Sequence, residues 1–200
     1  TVKTALPKPA QADLANGVHL IVLEDHRLPQ FSFQMYVTGA GGYYDPEDQP
    51  GLAGITAALL REGTPARTSS QISQQLEVMA ATLSIGASPA STEAAISGSC
   101  LTDQASKLMD LAADVVLHPA FPEDEVARYK QRTRAGLAQQ RANPAFLATE
   151  MFSRAVYGSH PAAHMGPTAA ALDHVTRDDL VAFHRTHYAP DRAVLAIAGD

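Results

Sequence analysis

The stretch 51–64, Gly-Leu-Ala-Gly-Ile-Thr-Ala-Ala-Leu-Leu-Arg-Glu-Gly-Thr, constrains this chain more than any other. It reads as one short helix. Pro50 is placed to pre-set the first turn, and Gly63 followed by Pro65 stops it. Leu52, Ile55 and Leu59 fall at i, i+3 and i+7 and form one core-facing stripe. Gly54, Ala57 and Ala58 share a neighbouring face that carries no side chain able to do chemistry. A Gly inside a helix costs about 1 kcal/mol relative to Ala, so Gly54 needs a reason. Close packing is one. A functional helix that has been emptied is the other.

The order of elements around this helix predicts an α+β domain. Residues 1–12, with Pro7 and Pro9, read as an extended arm. Asn16-Gly17 is a hairpin signal before a strand over 18–24. Phe31, Phe33, Met35 and Val37 alternate with Ser32, Gln34 and Tyr36, the pattern of a half-buried strand. Thr68 and Gln71 form a capping box for a helix to about residue 80, followed by a short strand over 83–88 and a second over 93–101. Thr102 is read as the cap of a helix over 103–117. Pro122 and three acids open a long helix that Asn143-Pro144 breaks. A further helix ends at Gly158. Thr176 and Asp179 cap the last helix, and a final strand covers 193–198. Hairpin-joined strands followed by helices imply a mixed or antiparallel sheet flanked by helices.

Composition excludes several function classes. Two hundred residues with 46% hydrophobic content suit a domain able to bury its own core. A net charge of −6 argues against a nucleic-acid binder. No apolar run reaches the about 18 residues of a membrane span, and no signal-peptide pattern is legible. The single Cys100 rules out an internal disulfide and sits in an apolar-alternating strand, the pattern of a buried core thiol.

The frame around the central helix carries a family likeness. Leu14-Ala-Asn-Gly-Val18, Gly39-Ala-Gly-Gly-Tyr-Tyr-Asp45 and Gly51-Leu-Ala53 stand upstream. Downstream stand Tyr157-Gly-Ser-His-Pro161, Gly166-Pro-Thr168, Phe183-His184, Tyr188-Ala-Pro190 and Ala198-Gly-Asp200. Together they resemble peptidase family M16, the pitrilysin, insulin-degrading enzyme and mitochondrial processing peptidase group, over residues 14–200. The resemblance implies a LuxS/MPP-like metallohydrolase-type domain, preceded by the arm over 1–13. It implies the N-terminal domain of the usual two, the C-terminal one being absent from this chain.

In that family the central helix carries H-x-x-E-H, two zinc-binding imidazoles one turn apart and a Glu that activates water. Here those positions are Gly54, Ala57 and Ala58. The family's third ligand, a Glu on the long helix, corresponds to positions 134–136. Residues 126–149 contain no Asp or Glu, and carry Arg128, Lys130, Arg132, Arg134 and Arg141. The resemblance thus implies the fold, a lost zinc site and no cofactor. The basic residues read as a solvated face paired with nearby acids such as Glu123, Asp124 and Glu125, or as a partner-facing or peptide-facing positive surface.

Other sites are weaker. His160 and His164 are four apart, and His184 and His187 three apart, but neither pair has a supporting carboxylate pattern. No G-x-S-x-G occurs, and Gly39-Ala-Gly-Gly fits neither a P-loop nor a dinucleotide turn. The expected function is a catalytically inactive subunit, not an enzyme alone. It pairs with an active zinc-binding M16 subunit or a second copy, encloses a chamber and holds extended peptide. By resemblance, Leu83, Ser84, Ile85, Gly86, Ala87 and Ser88 are the edge strand that accepts that peptide. The alternative is a stand-alone peptide-binding or scaffold module. A periplasmic or secreted compartment is favoured over the cytoplasm.

Overall fold

A computed structural model describes residues 8–160 and 163–200. Six strands form one open sheet in the order β1-β2-β6-β3-β5-β4. In chain order these are β1 (Ala10–Asp13), β2 (His19–Glu24), β3 (Gln30–Thr38), β4 (Thr82–Ala87), β5 (Glu93–Leu101) and β6 (Ala193–Gly199). The helices are α1 (Leu52–Leu59), α2 (Ser69–Val78), α3 (Ala105–Leu117), α4 (Glu123–Gln140), α5 (Pro144–Tyr157), α6 (Ala169–His174) and α7 (Arg177–His187). The α+β expectation holds.

The sheet is mixed. β2 and β6 are parallel, and every other neighbouring pair is antiparallel. Asn16-Gly17 turns β1 into β2, with Gly17 at φ +94°, so part of the expected arm is an edge strand. The last strand enters between β2 and β3. That insertion is non-local, and nothing in the local pattern of residues 193–198 specifies it.

Alternation sets the two faces. Phe33 and Val37 of β3 and Ala94, Ile96 and Cys100 of β5 are buried under α2 and α3. Ser32, Gln34 and Tyr36 point to the other face, which stays open to solvent. A second core joins α1 to α4, α6 and α7 through Leu52, Ile55, Leu59, Phe121, Val126, Leu172 and Leu180. Ile85 and Ala87 of β4 pack against both cores, and this ties α1 to the edge of the sheet.

Several local expectations need correction. Thr102 does not cap α3. It opens a 3-10 turn over Thr102–Gln104, α3 starts only at Ala105, and the Thr102 hydroxyl is buried with no hydrogen-bond partner among the described residues. α1 ends at Leu59, and residues 60–62 tighten into a 3-10 turn before Gly63. α6 was not expected at all, because its six residues are too few to show a period. Both capping boxes, Thr68 with Gln71 and Thr176 with Asp179, form as read.

Candidate functional site

α1 is held at its N-terminus by a residue that sequence reasoning left without a role. Asp45 is buried, and its two carboxylate oxygens accept from the amides of Gly51 (2.6 Å) and Ala53 (2.7 Å). These are among the amides that a helix start leaves without intrahelical partners. Burial pushes the Asp45 carboxyl up to about 6, while the two amides pull it the other way. The signal that could have found it is an acid shortly before a helix whose own N-cap is Gly. Pro50 does not start the helix. Gly51 is the N-cap at φ +94°, and a Cβ there would lie 2.6 Å from Pro167 Cα.

The face that the sequence singles out is real but uneven. Ala57 is fully buried, while Gly54 and Ala58 are half-buried. None of the three offers a nitrogen, oxygen or sulfur side-chain donor. A zinc site needs at least three such donors, so the residues present do not fit the metal that the motif carries elsewhere. No group of three or more His, Cys, Asp or Glu among the described residues converges to hold one.

The α4 side agrees. Arg134 pairs with Asp173 of α6, Arg132 lies 4.0 Å from Glu62, and Arg128 pairs with Asp124 and Glu125. Lys130 donates to the Asp173 carbonyl. These cations are thus paired within the chain, mostly on exposed surface where each pair contributes little. Gly136 meets nothing within 4 Å of a Cβ position.

β4 lies beside α1 and is one edge of the sheet, β1 being the other. Thr82, Leu83, Ser84, Ile85, Gly86 and Ala87 make the strand, and Ser88 falls in the following turn, where its carbonyl accepts from Gly42. The Thr82 carbonyl lies against Gly98 of β5, so Leu83, Ile85 and Ala87 turn their main-chain groups to the free edge. The Ala87 carbonyl is 3.3 Å from where a Cβ on Gly54 would sit. The guanidinium of Arg61, just beyond α1, donates to the Leu83 carbonyl. Close packing at Gly54 is therefore against the sheet edge.

The remaining candidates serve the structure. His184 Nε2 donates to the Val116 carbonyl (2.8 Å) and its ring stacks on Tyr188. His187 stacks on Phe183. Burial holds both imidazoles below their usual value. His160 packs on Tyr43. His164 Nδ1 is buried without a hydrogen-bond partner among the described residues. Ser99 Oγ bonds to Thr82 Oγ1 (2.8 Å), and burial raises the Cys100 thiol, so neither is an activated nucleophile.

Comparisons with known proteins place the fold in a family. Residues 20–167 match the family described as Insulinase (Peptidase family M16), and residues 174–200 match Peptidase M16 inactive domain. A peptidase M16 inactive domain from Pseudomonas fluorescens superposes with a TM-score of 0.90 at 32% identity, over 96% of this chain and 47% of that one. A protease from Helicobacter pylori shares the fold, with a TM-score of 0.87 at 17% identity, over 98% of this chain and 47% of that one. An uncharacterized zinc protease of Mycobacterium tuberculosis is 28% identical over 193 residues, 96% of this chain and 43% of that protein. The chain spans less than half the length of these relatives.

Proposed function

The chain belongs to peptidase family M16, and from that premise we propose that it is a non-catalytic subunit domain that holds extended peptide along β4. The observation that carries this reading is the pairing of a donor-free helix face, Gly54, Ala57 and Ala58, with a free sheet edge. Strand addition uses main-chain hydrogen bonds and survives the loss of every zinc ligand. The inactive-domain match at residues 174–200 and the Pseudomonas fluorescens relative support the non-catalytic part.

A partner with an intact H-x-x-E-H motif would supply the metal and the water-activating Glu. An exposed apolar row on α5, Leu147, Met151, Phe152 and Val156, supports a surface that another domain or subunit covers.

Three measurements test the proposal. Metal analysis after dialysis should find well under one equivalent of zinc per chain, and internally quenched peptides should stay intact with or without chelator. A fluorescein-labelled extended peptide should bind, and Ile85→Pro should abolish binding. That change removes the outward-facing amide of Ile85 and leaves the β4–β5 ladder its bonds. Peptide cleavage by this chain alone, lost to a chelator and restored by zinc, would overturn the reading. Binding unaffected by Ile85→Pro would remove β4 from it.

A further inference from the structure

The free edge of β4 is not uniform. Of its three outward carbonyls, that of Leu83 is taken by Arg61, while that of Ala87 faces the space left by the missing Cβ of Gly54. Arg61 stands in the 3-10 turn directly after α1 and is half-buried between that helix and the strand. Among the described residues it has no carboxylate partner. The neighbouring Glu62 instead accepts from Ser69 Oγ (2.6 Å) and lies toward Arg132. A guanidinium presents five N–H donors in a rigid fork, and this one spends a single donor on a neutral carbonyl.

A strand that adds to β4 must donate its amides to the carbonyls of Leu83, Ile85 and Ala87 in turn. At Leu83 it meets a cation instead. Main-chain pairing stops there, and the group that the cation favours at that point is a carboxylate, which a guanidinium binds in a two-pronged, charge-assisted way.

We infer that Arg61 determines the specificity of this edge: it receives a peptide carboxylate, either the chain-terminal one or that of an Asp or Glu side chain, where the added strand reaches Leu83. The inference rests on the strand-addition reading above. Arg61 sets the register of the bound peptide, because only one placement brings the carboxylate to the fork while the Ile85 and Ala87 carbonyls stay paired.

The test uses fluorescence anisotropy on the full chain with three forms of one short Ala/Thr/Lys peptide, labelled at its N-terminus. One ends in a free carboxylate, one in an amide, and one ends in an amide with a single internal Glu. Either or both carboxylate forms should bind about ten- to a hundredfold more tightly than the plain amide, the range for a hydrogen bond to a charged group. The two arms separate a terminal carboxylate from a side chain. Arg61→Met should erase that preference, so that the carboxylate forms bind no more tightly than the plain amide. Arg61→Lys should keep part of it, and raised salt should diminish it. Equal binding of all three forms by the wild-type chain overturns the role of Arg61 while strand addition stands. Loss of every form to Arg61→Met, with the fold intact by circular dichroism, also overturns it. If Arg61→Met does not fold, the comparison of acid with amide on the wild-type chain decides alone. No binding of any form by the wild-type chain sinks strand addition, and this inference with it.

Discussion

α1 and α5 carry the same kind of sequence signal and meet opposite fates. Both have apolar residues at helical spacing. In α1, six of eight residues are buried, among them Leu52, Ile55, Ala57 and Leu59. In α5, with fourteen residues, only Ser153 is buried, while Met151 is 73% and Phe152 69% exposed. α1 lies between the β4 edge and α7 and is pinned by Asp45, whereas α5 lies outside both cores. An apolar stripe states that a surface is wanted for packing. It does not state what packs on it. The helix whose exposed chemistry is absent, with Gly54, Ala57 and Ala58 on one face, is largely buried, while the helix rich in exposed Met and Phe leaves an apolar row uncovered within this chain.

The comparison breaks most visibly if charge is placed on each helix. Ala57→Glu puts a carboxylate in a fully buried position, and should cost about 3–5 kcal/mol in denaturant unfolding. Val156→Glu on α5 should change stability by no more than about 0.5 kcal/mol. Equal tolerance at both sites would dissolve the contrast. Adding Gly54→His and Ala58→His to Ala57→Glu should bind zinc only weakly, since Arg134 and its neighbours offer no third ligand.

The Asp45 clasp sharpens the contrast through pH. Its folded-state value, about 6, lies above the ordinary carboxylate value of 3.8, because burial favours the protonated form. Its stabilisation is fully present below the unfolded value and is lost as pH rises through the folded one. Between about pH 4 and 7 the wild-type chain should therefore lose up to about 3 kcal/mol relative to Asp45→Asn, which does not titrate. Urea titrations of both proteins across that window measure the difference; a constant gap would show that the amides of Gly51 and Ala53 balance burial, and a gap that moves in the wild-type chain's favour as pH rises that they outweigh it.

Gly54→Ala measures how tightly α1 presses on the sheet edge. Better helix propensity favours the change by up to about 1 kcal/mol, and the Ala87 carbonyl at 3.3 Å opposes it. β4 is an edge strand and can yield by a few tenths of an ångström, so a net gain of a few tenths of a kcal/mol is expected. A loss beyond about 1 kcal/mol would mean that Gly54 is kept for close packing. The smallest effect belongs to α5. Phe152→Ser should move the unfolding midpoint of the isolated chain by less than about 0.5 kcal/mol in free-energy terms, yet should weaken any association seen by sedimentation.

Much of the fold was legible because its signals are local. The alternation of Phe31 to Val37 and the two Thr-led capping boxes each act within a few residues, and each formed as read. The absence of ligands at 54, 57 and 58 needs no structure at all, since Gly and Ala cannot coordinate under any packing. The clasp by Asp45 was not, because it depends on a loop folding back over six to eight residues to reach two amides.

The sequence by itself determined most of the helices and strands, with α6 and β1 the exceptions, which face of each is apolar, and that positions 54, 57 and 58 carry nothing with which to bind zinc. These follow from side-chain chemistry and from periods of 2 and 3.6 residues. Only the tertiary structure decided that β6 enters between β2 and β3, that β4 is left as a free edge, and that Arg61 lies on the Leu83 carbonyl while Arg134 is tied to Asp173. Each of these joins residues far apart in the chain, and the choice among such contacts rests on the closure of the whole core rather than on any local preference.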